Sequence, residues 1–410
     1  MIKKNNTAFG LLVSLFFMWG FLTELDGALI PYLKDVFTLS DFAATLVQFA
    51  FFIAFVTMSM PSAWLLNKIG YSKGVVVGLA IMGLGSFLFF PASKALSYPV
   101  FLSAIFVLAI GVTVLQVAAN PYVTLLGEPA KASSRLNLAQ GINSLAKVLA
   151  PFFGSYFILR GLEQLTSDEE KAQAVQLPYI ILGSILLLLA IVFWFIKLPD
   201  VAPEKENTES DTNSMAGKTS AWQFPQLSRG AVAIFFYVGV EVAVGTFLVL
   251  FLTQQDIAGL SKEDAALYLP FYWGGLMVGR LGGSYILNYI KPNVLLAVFA
   301  VGAAICIILV VLGTGEMAMW ALIATGLFHS IMWSNIFALS IDGLGKFTSQ
   351  GSGILVAAIV GGALIPPLQG LISDNFGRQN SFLVLLIGYV YIFYYGWKGY
   401  QHSKSVKNKT

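Results

Sequence analysis

Charged residues are scarce in this sequence. Only 11% of its 410 residues are Asp, Glu, Lys or Arg, whereas about 25% of a typical soluble domain is charged. Apolar residues make up 57% of the chain and occur in runs long enough for helices of ~20 residues that cross a hydrocarbon core. This balance excludes an ordinary water-soluble fold and predicts an all-α membrane protein.

Cysteine is equally rare. The one cysteine, Cys306, lies in an apolar run, so the sequence offers no disulfide framework and no cluster of metal ligands. It shows no nucleophile–base pair or phosphate-binding loop, which argues against an enzyme, and we expect no cofactor. The positive charges are spread over short loops rather than along one basic stripe, so we expect no nucleic-acid partner.

Apolar runs and the residues that break them predict twelve membrane-spanning helices. The predicted spans are roughly 9–33, 41–66, 73–91, 98–124, 136–160, 177–197, 230–254, 264–288, 292–312, 318–341, 350–372 and 380–400. A polar, proline-containing stretch between spans six and seven has too little apolar surface to fold. We therefore predict an N-terminal six-helix half (1–197), a cytoplasmic linker (198–228) and a C-terminal six-helix half (229–410).

Lysine and arginine are distributed unequally between alternate loops. With the N-terminus inside, sixteen of them fall in the predicted inner segments and six in the outer ones. Because positive residues accumulate in cytoplasmic loops, both termini are predicted to be cytoplasmic and the protein to lie in the inner membrane of the cell.

The two halves also contain similar strings in corresponding positions, for example LLNKI (65–69) and ILNYI (286–290). Such similarities predict two parallel structural repeats, with a binding site near the membrane midplane between them. We expect a monomer embedded in the lipid bilayer.

Ionisable residues within the spans point to the functional site. A charge at the bilayer centre costs ~2.5–3.5 kcal/mol, so it should face a partner or a water-filled cavity. By position along the spans, Glu24, Lys147, Glu241 and His329 fall near mid-membrane, and Asp26 lies close to Glu24. The same spans and their neighbours supply amides and aromatic rings: Gln116, Asn120, Gln140, Asn143, Tyr272 and Trp333. Few, well-placed amides and rings suit a ligand rich in hydroxyl groups, which favours a sugar.

Four strings of sequence resemble a known family. They are QVAANPYVTLLG (116–127), RLNLAQGINSL (135–145), YVGVEVAVGTFLV (237–249) and GGALIPPLQGLISD (361–374). Over essentially its whole length the chain resembles the fucose–proton symporter family of sugar transporters in the major facilitator superfamily. This family includes glucose/galactose, L-fucose and N-acetylglucosamine carriers. The resemblance implies a twelve-helix facilitator fold, alternating access and uptake of a monosaccharide coupled to H⁺ or Na⁺.

The resemblance also implies roles for individual residues. Gln140 and Asn143 match sugar-binding amides, Trp333 matches an aromatic residue that contacts sugar, and Glu241 matches an acid typical of the hexose carriers. Together with the residues selected above, the predicted sugar contacts are Gln140, Asn143, Gln116, Asn120, Glu24, Glu241, Trp333 and Tyr272.

The chain departs from the fucose carriers at the acids that handle protons. Gly27 stands where span one of those carriers has an aspartate, and Gln116 stands where span four has a glutamate. Coupling by that pair of acids is therefore not implied. We predict instead a charge network that couples ion, sugar and conformation, formed by Glu24, Asp26, Lys147, Glu241 and His329.

Several alternatives stay open. Lys147 is either a structural partner of Glu24, Asp26 or Glu241, or an ammonium in place of the coupling cation, which would make the protein a facilitator. His329 is either a hydrogen-bonded core residue or a proton relay. An exporter of amphipathic cations would also need buried acids, and a sugar sensor would keep the binding residues without transport.

Arg280, in the string GRLGG, is the other basic residue within a predicted span. We interpret it as a structural anchor on the cytoplasmic side, where a long basic side chain snorkels to the interface or pairs near the end of its helix.

Overall fold

A computed structural model describes residues 2–39, 41–154, 167–196 and 218–401 of the protein. Within these ranges the chain forms helices and turns and no strand. The N-terminal part contains helices α1 to α7: Ile2–Val36, Asp41–Phe87, Phe89–Lys94, Tyr98–Leu125, Ala132–Gly154, Asp168–Gln173 and Gln176–Phe195. The C-terminal part contains α8 to α17: Pro225–Leu252, Lys262–Ala266, Leu269–Ile286, Pro292–Leu312, Gly315–His329, Met332–Ile341, Thr348–Ala357, Gly361–Phe376, Arg378–Ser381 and Leu385–Tyr394.

Helices suit a hydrocarbon solvent because their backbone N–H and C=O groups are satisfied within one segment. In the described chain, eight helical stretches are long and apolar enough to cross a membrane. One of them, Leu46–Lys94, breaks at Gly70, whose φ of 80° lies in the left-handed region open to glycine, so this stretch provides predicted spans two and three.

Three of the predicted spans, which correspond to α1, α5 and α10, are not among these eight stretches of the described chain. Among the described residues of α1, the apolar stretch is Phe9–Leu25. These three helices carry many of the polar residues that the sequence assigns to the site, including Glu24, Gln140 and Tyr272. The long helices match the twelve predicted spans in order, and the predicted all-α membrane fold is confirmed.

The chain divides into two compact units. One contains Met1–Tyr122 and Leu145–Val201, and the other contains Val123–Ser144 and Ala202–Thr410. In the first unit, α2 packs along α7. In the second, α8 packs against α13, α15 and α17, while α10 and α11 both pack against α12. Most of the candidate site described below is built on α8, α10, α12 and α13 of this second unit.

Span ten is one helical stretch, Gly315–Ile341, that contains a local interruption. Its helix α12 ends at His329 and α13 begins at Met332, so Ser330 and Ile331 form a turn inside the span. Neither glycine nor proline stands at this turn, so the sequence carries no ordinary signal for it. The interruption leaves the Ser330 carbonyl to be satisfied by a side chain from another helix.

The end of the predicted linker is folded against the second unit. The Ala221 side chain is buried, and the Ala221 N–H donates to Gln350 Oε1 over 2.8 Å. Helix α8 begins at Pro225, a few residues before the predicted end of the linker. Residues 197–217, which include most of the linker, lie outside the described residues. The division into halves at 1–197, 198–228 and 229–410 stays a prediction.

Candidate functional site

Glu241 and Arg280 form a buried ion pair in the second unit. Glu241 lies on α8 and Arg280 on α10, with 9% and 4% of their surfaces exposed. Arg280 Nη2 is 3.6 Å from Glu241 Oε1. An unpaired charge at such a position would be strongly destabilising, and here each charged group has the opposite charge beside it.

The contacts of Arg280 decide between the two alternatives given for it. The sequence suggested an anchor that snorkels or pairs near the cytoplasmic end of its helix. With 4% of its surface exposed, Arg280 cannot present its charged head to the interface, so snorkelling is wrong, whereas the pairing is present. The acid that the sequence singled out, Glu241, therefore has its opposite charge on α10.

Arg280 also donates a hydrogen bond to the backbone where the helix of span ten is interrupted. Its Nε donates to the Ser330 carbonyl over 3.1 Å, at the turn between α12 and α13. In an unbroken helix that carbonyl would accept from an amide four residues later. A break at membrane depth is tolerated where protein groups satisfy the freed backbone, and here a guanidinium N–H does so.

A chain of hydrogen bonds runs from Glu241 through two tyrosines and a histidine. The Tyr272 hydroxyl donates to the Glu241 backbone oxygen over 3.1 Å and lies 2.8 Å from His329 Nδ1. The Tyr389 hydroxyl lies 2.6 Å from His329 Nε2. Because a phenol has one proton, Tyr272 accepts from Nδ1–H while it donates to Glu241, and Nε2 then accepts from Tyr389.

This assignment leaves His329 neutral with both ring nitrogens bonded. His329 is fully buried, as are both tyrosines. The geometry fits the interpretation of His329 as a hydrogen-bonded core residue, and a proton relay would require one of the tyrosines to change its partner. Contact between the Tyr272 hydroxyl and a sugar would likewise require release of a bond that it makes here.

Trp333 lies one turn beyond the break in span ten. It is 6% exposed, and its ring centroid is 6.5 Å from that of Tyr237 and 6.0 Å from that of Phe337. Its indole Nε1 is buried and has no hydrogen-bond partner among the described residues. A buried donor without a partner is costly in a folded protein and is a natural contact for a ligand oxygen.

The first part of α5 contributes amides to the second unit. Gln140 and Asn143 are buried and lie three residues apart, on one face of the helix. The Gln140 carbonyl accepts from Ser144 Oγ over 3.0 Å. One turn earlier, Asn137 Nδ2 donates to Asn335 Oδ1 on α13 over 3.1 Å. The predicted amide face of α5 is therefore fixed to the helices that carry Arg280 and Trp333.

The other predicted site residues belong to the first unit. Gln116 is half-buried and Asn120 fully buried on α4, four residues apart and thus on one face. Glu24 on α1 and Lys147 on α5 are both half-buried. Asp26 also lies on α1, and its side chain is outside the described residues. Whether Lys147 pairs with one of the acids stays a prediction.

Three residues of this cluster were missed by sequence reasoning: Tyr237, Ser144 and Tyr389. Arg280 was recognised as a basic residue that snorkels or pairs, but its partner was not identified. A better signal was available in its neighbours, since a basic residue among Gly275, Gly279, Gly282 and Gly283 lies on a helix that other helices can approach closely. Ser144 and the tyrosines carry no comparable signal.

Comparison with known proteins places the chain in a family. Residues 7–359 match the family model described as Major Facilitator Superfamily. The chain is 48% identical over 396 residues to a glucose/galactose transporter of Brucella abortus biovar 1 (strain 9-941), covering 96% of this chain and 95% of the relative. The chain belongs to the major facilitator superfamily. It is therefore a multi-pass membrane protein of a transporter family.

Two further likenesses refine this assignment within the superfamily. The L-fucose-proton symporter of Escherichia coli (strain K12) is 32% identical over 390 residues, covering 90% of this chain and 87% of that protein. The crystal structure of FucP, a major facilitator superfamily transporter in the outward conformation, superposes with a TM-score of 0.87 at 29% identity over 97% of this chain and 100% of that chain. The resemblance found in the sequence is confirmed, and so is the facilitator fold that it implies.

Proposed function

We propose that this facilitator is a monosaccharide transporter that takes up sugar by alternating access. The observation that carries the proposal is the near-complete match to the glucose/galactose transporter of Brucella abortus, which extends over the spans that hold the polar residues. Glucose and galactose are therefore the first substrates to test. Sugar must bind the two facing states differently, or change how fast they interconvert, for binding to drive transport.

The polar cluster supports this proposal in chemical terms. A sugar presents hydroxyl groups that donate and accept, together with C–H faces that pack on aromatic rings. Glu241 offers acceptors, and Trp333 offers both a ring and a buried N–H without a partner among the described residues. The proposed sugar contacts are those predicted from the sequence: Gln140, Asn143, Gln116, Asn120, Glu24, Glu241, Trp333 and Tyr272.

Coupling to a cation is the second part of the proposal. The names of the fucose relatives favour H⁺ as the coupling ion of those proteins, and we propose the same ion here with Na⁺ as the competing outcome. The proposed coupling network is the predicted set Glu24, Asp26, Lys147, Glu241 and His329. We further propose that the protein is a monomer in the inner membrane. Both of its termini lie in the cytoplasm, as the distribution of basic residues predicts.

Counterflow in proteoliposomes tests the proposal. Purified protein should exchange labelled glucose and galactose, and an inward proton gradient should drive their net uptake while a sodium gradient should not. Uptake that ignores both gradients would contradict coupling and favour the facilitator with Lys147 in place of the cation. Export of amphipathic cations without any monosaccharide exchange would overturn the proposed function.

Trp333 provides a sharper test of the site. Trp333→Phe keeps an aromatic ring but removes the indole N–H that has no partner among the described residues. If that N–H binds a sugar oxygen, the half-saturating sugar concentration should rise about tenfold, the loss expected for one hydrogen bond that a ligand makes to a buried donor. Trp397→Phe, at a tryptophan that is 68% exposed, is the matched control and should leave the value unchanged. Equal values in both variants would remove Trp333 from the sugar contacts.

A further inference from the structure

Through one guanidinium group, Arg280 links its own helix, α10, to three other elements of the second unit. Its Nε donates to the Ser330 carbonyl at 3.1 Å, and its Nη1 donates to Ser144 Oγ at 2.6 Å. Its Nη2 faces both the Tyr237 hydroxyl at 3.4 Å and Glu241 Oε1 at 3.6 Å. The guanidinium therefore connects the break in span ten, the first part of α5 and the acid-bearing helix α8.

The guanidinium has two neutral partners and one charged partner. It donates directly to Ser144 Oγ and to the Ser330 carbonyl, and both of these acceptors are neutral. The 3.6 Å separation from Glu241 exceeds the ~2.7–2.9 Å typical of a charge-assisted hydrogen bond. The guanidinium is therefore held by two neutral acceptors and by the opposite charge of Glu241, with the Tyr237 hydroxyl beside it.

Arg280 contacts α5 at Ser144, in the same helical turn as Gln140, whose side-chain amide is a proposed sugar contact. Ser144 Oγ donates to the Gln140 carbonyl over 3.0 Å and accepts from Arg280 over 2.6 Å. Arg280 Nη1 also lies 3.5 Å from that same carbonyl. The backbone of Gln140 is therefore fixed, through one hydroxyl group, to the cation that faces Glu241.

Glycine residues allow α10 to bring Arg280 this close. A Cβ at Gly279 would overlap Ser330 Oγ, and a Cβ at Gly275 would lie 3.1 Å from the Leu327 backbone nitrogen. Small residues at four-residue spacing let two helix backbones approach closely within a membrane. The reach of Arg280 to the Ser330 carbonyl depends on this contact between α10 and α12.

We propose that Arg280 is a positioning residue for transport. Its guanidinium holds the Glu241 carboxylate and the turn Gln140–Ser144 in one arrangement, so that a sugar engaging either group acts on both. The proposal rests on the proposed sugar transport and adds to it a residue that need not touch the substrate. It assigns Ser144 as the link between the amide-bearing helix and the ion pair.

Ser144→Ala tests the link, with Ser86→Ala as its matched control. Both serines are buried and both donate to the carbonyl four residues earlier, at 3.0 Å in each case, but among the described residues only Ser144 accepts from an arginine. In glucose counterflow, Ser144→Ala should raise the half-saturating concentration about tenfold, as expected for one hydrogen bond to a charged group. Ser86→Ala should stay within twofold. The thermal midpoint should fall further in Ser144→Ala than in Ser86→Ala, because only Ser144→Ala also removes a bond to a charged group.

A double-mutant cycle shows whether Ser144 acts through Arg280. In an Arg280→Lys background, Ser144→Ala should add less than a twofold change, because a lysine lacks the planar fork that reaches Ser144 and Ser330 together. A full tenfold effect in that background, or equal half-saturation in Ser144→Ala and Ser86→Ala, would overturn the positioning role alone. A wild-type protein that exchanges no monosaccharide would overturn the proposed function as well.

Discussion

Replacing Arg280 by glutamine is expected to destabilise the protein by about 3–5 kcal/mol, because it leaves the Glu241 carboxylate buried without its counter-charge. The same change also leaves the Ser330 carbonyl at the helix break without its donor. The measurement is thermal unfolding of the detergent-solubilised protein, followed by size-exclusion chromatography.

A second substitution separates the charge from the packing. Arg280→Gln combined with Glu241→Gln contains no unpaired charge, so it should recover most of the lost stability while monosaccharide uptake stays absent. Arg229→Gln is the matched control, at a half-buried arginine of the same unit that donates to the Gly399 carbonyl over 3.4 Å. An Arg280→Gln variant as stable as Arg229→Gln would show that the ion pair does not stabilise this unit.

Much of the fold could be predicted from the sequence because the hydrocarbon core of a membrane admits few kinds of backbone structure. In hydrocarbon, length and apolar composition nearly determine which segments are helices, and the polar exceptions stand out. Glu241, Tyr272 and His329 were selected for that reason, and the structure brings them into one hydrogen-bonded cluster. Their partners could not be derived, because pairing depends on which helix faces which, and this follows from packing rather than from composition.

The interruption of span ten is a second feature that could not be predicted from the sequence. Helix breaks in membranes are usually signalled by glycine or proline, and the turn at Ser330–Ile331 contains neither. It is stable because Arg280, on another helix, supplies the missing donor. A residue fifty positions away thus determines a local backbone feature, and no window of neighbouring residues contains that information. For the same reason, the sequence left open whether Arg280 snorkels or pairs.

Gly279→Ala is expected to have the second largest effect, because it adds one carbon where α10 meets α12. The new Cβ would overlap Ser330 Oγ, and it would lie 2.6 Å from Ser330 Cβ and 2.9 Å from the Leu327 carbonyl oxygen. Two of these three atoms cannot rotate away, so the helices must separate. Overpacking of this kind costs about 1–3 kcal/mol, and the separation should also lengthen the bond from Arg280 to the Ser330 carbonyl.

Gly282→Ala is the control on the same helix, since a Cβ at Gly282 meets nothing within 4 Å. It should leave both the thermal midpoint and the half-saturating sugar concentration unchanged. Gly279→Ala should lower the midpoint and also weaken sugar uptake, because it displaces the guanidinium that faces Glu241. A loss of stability without any change in uptake would mean that the contact between α10 and α12 serves folding alone. Equal behaviour of the two variants would show that close helix approach at Gly279 does not hold Arg280 in place.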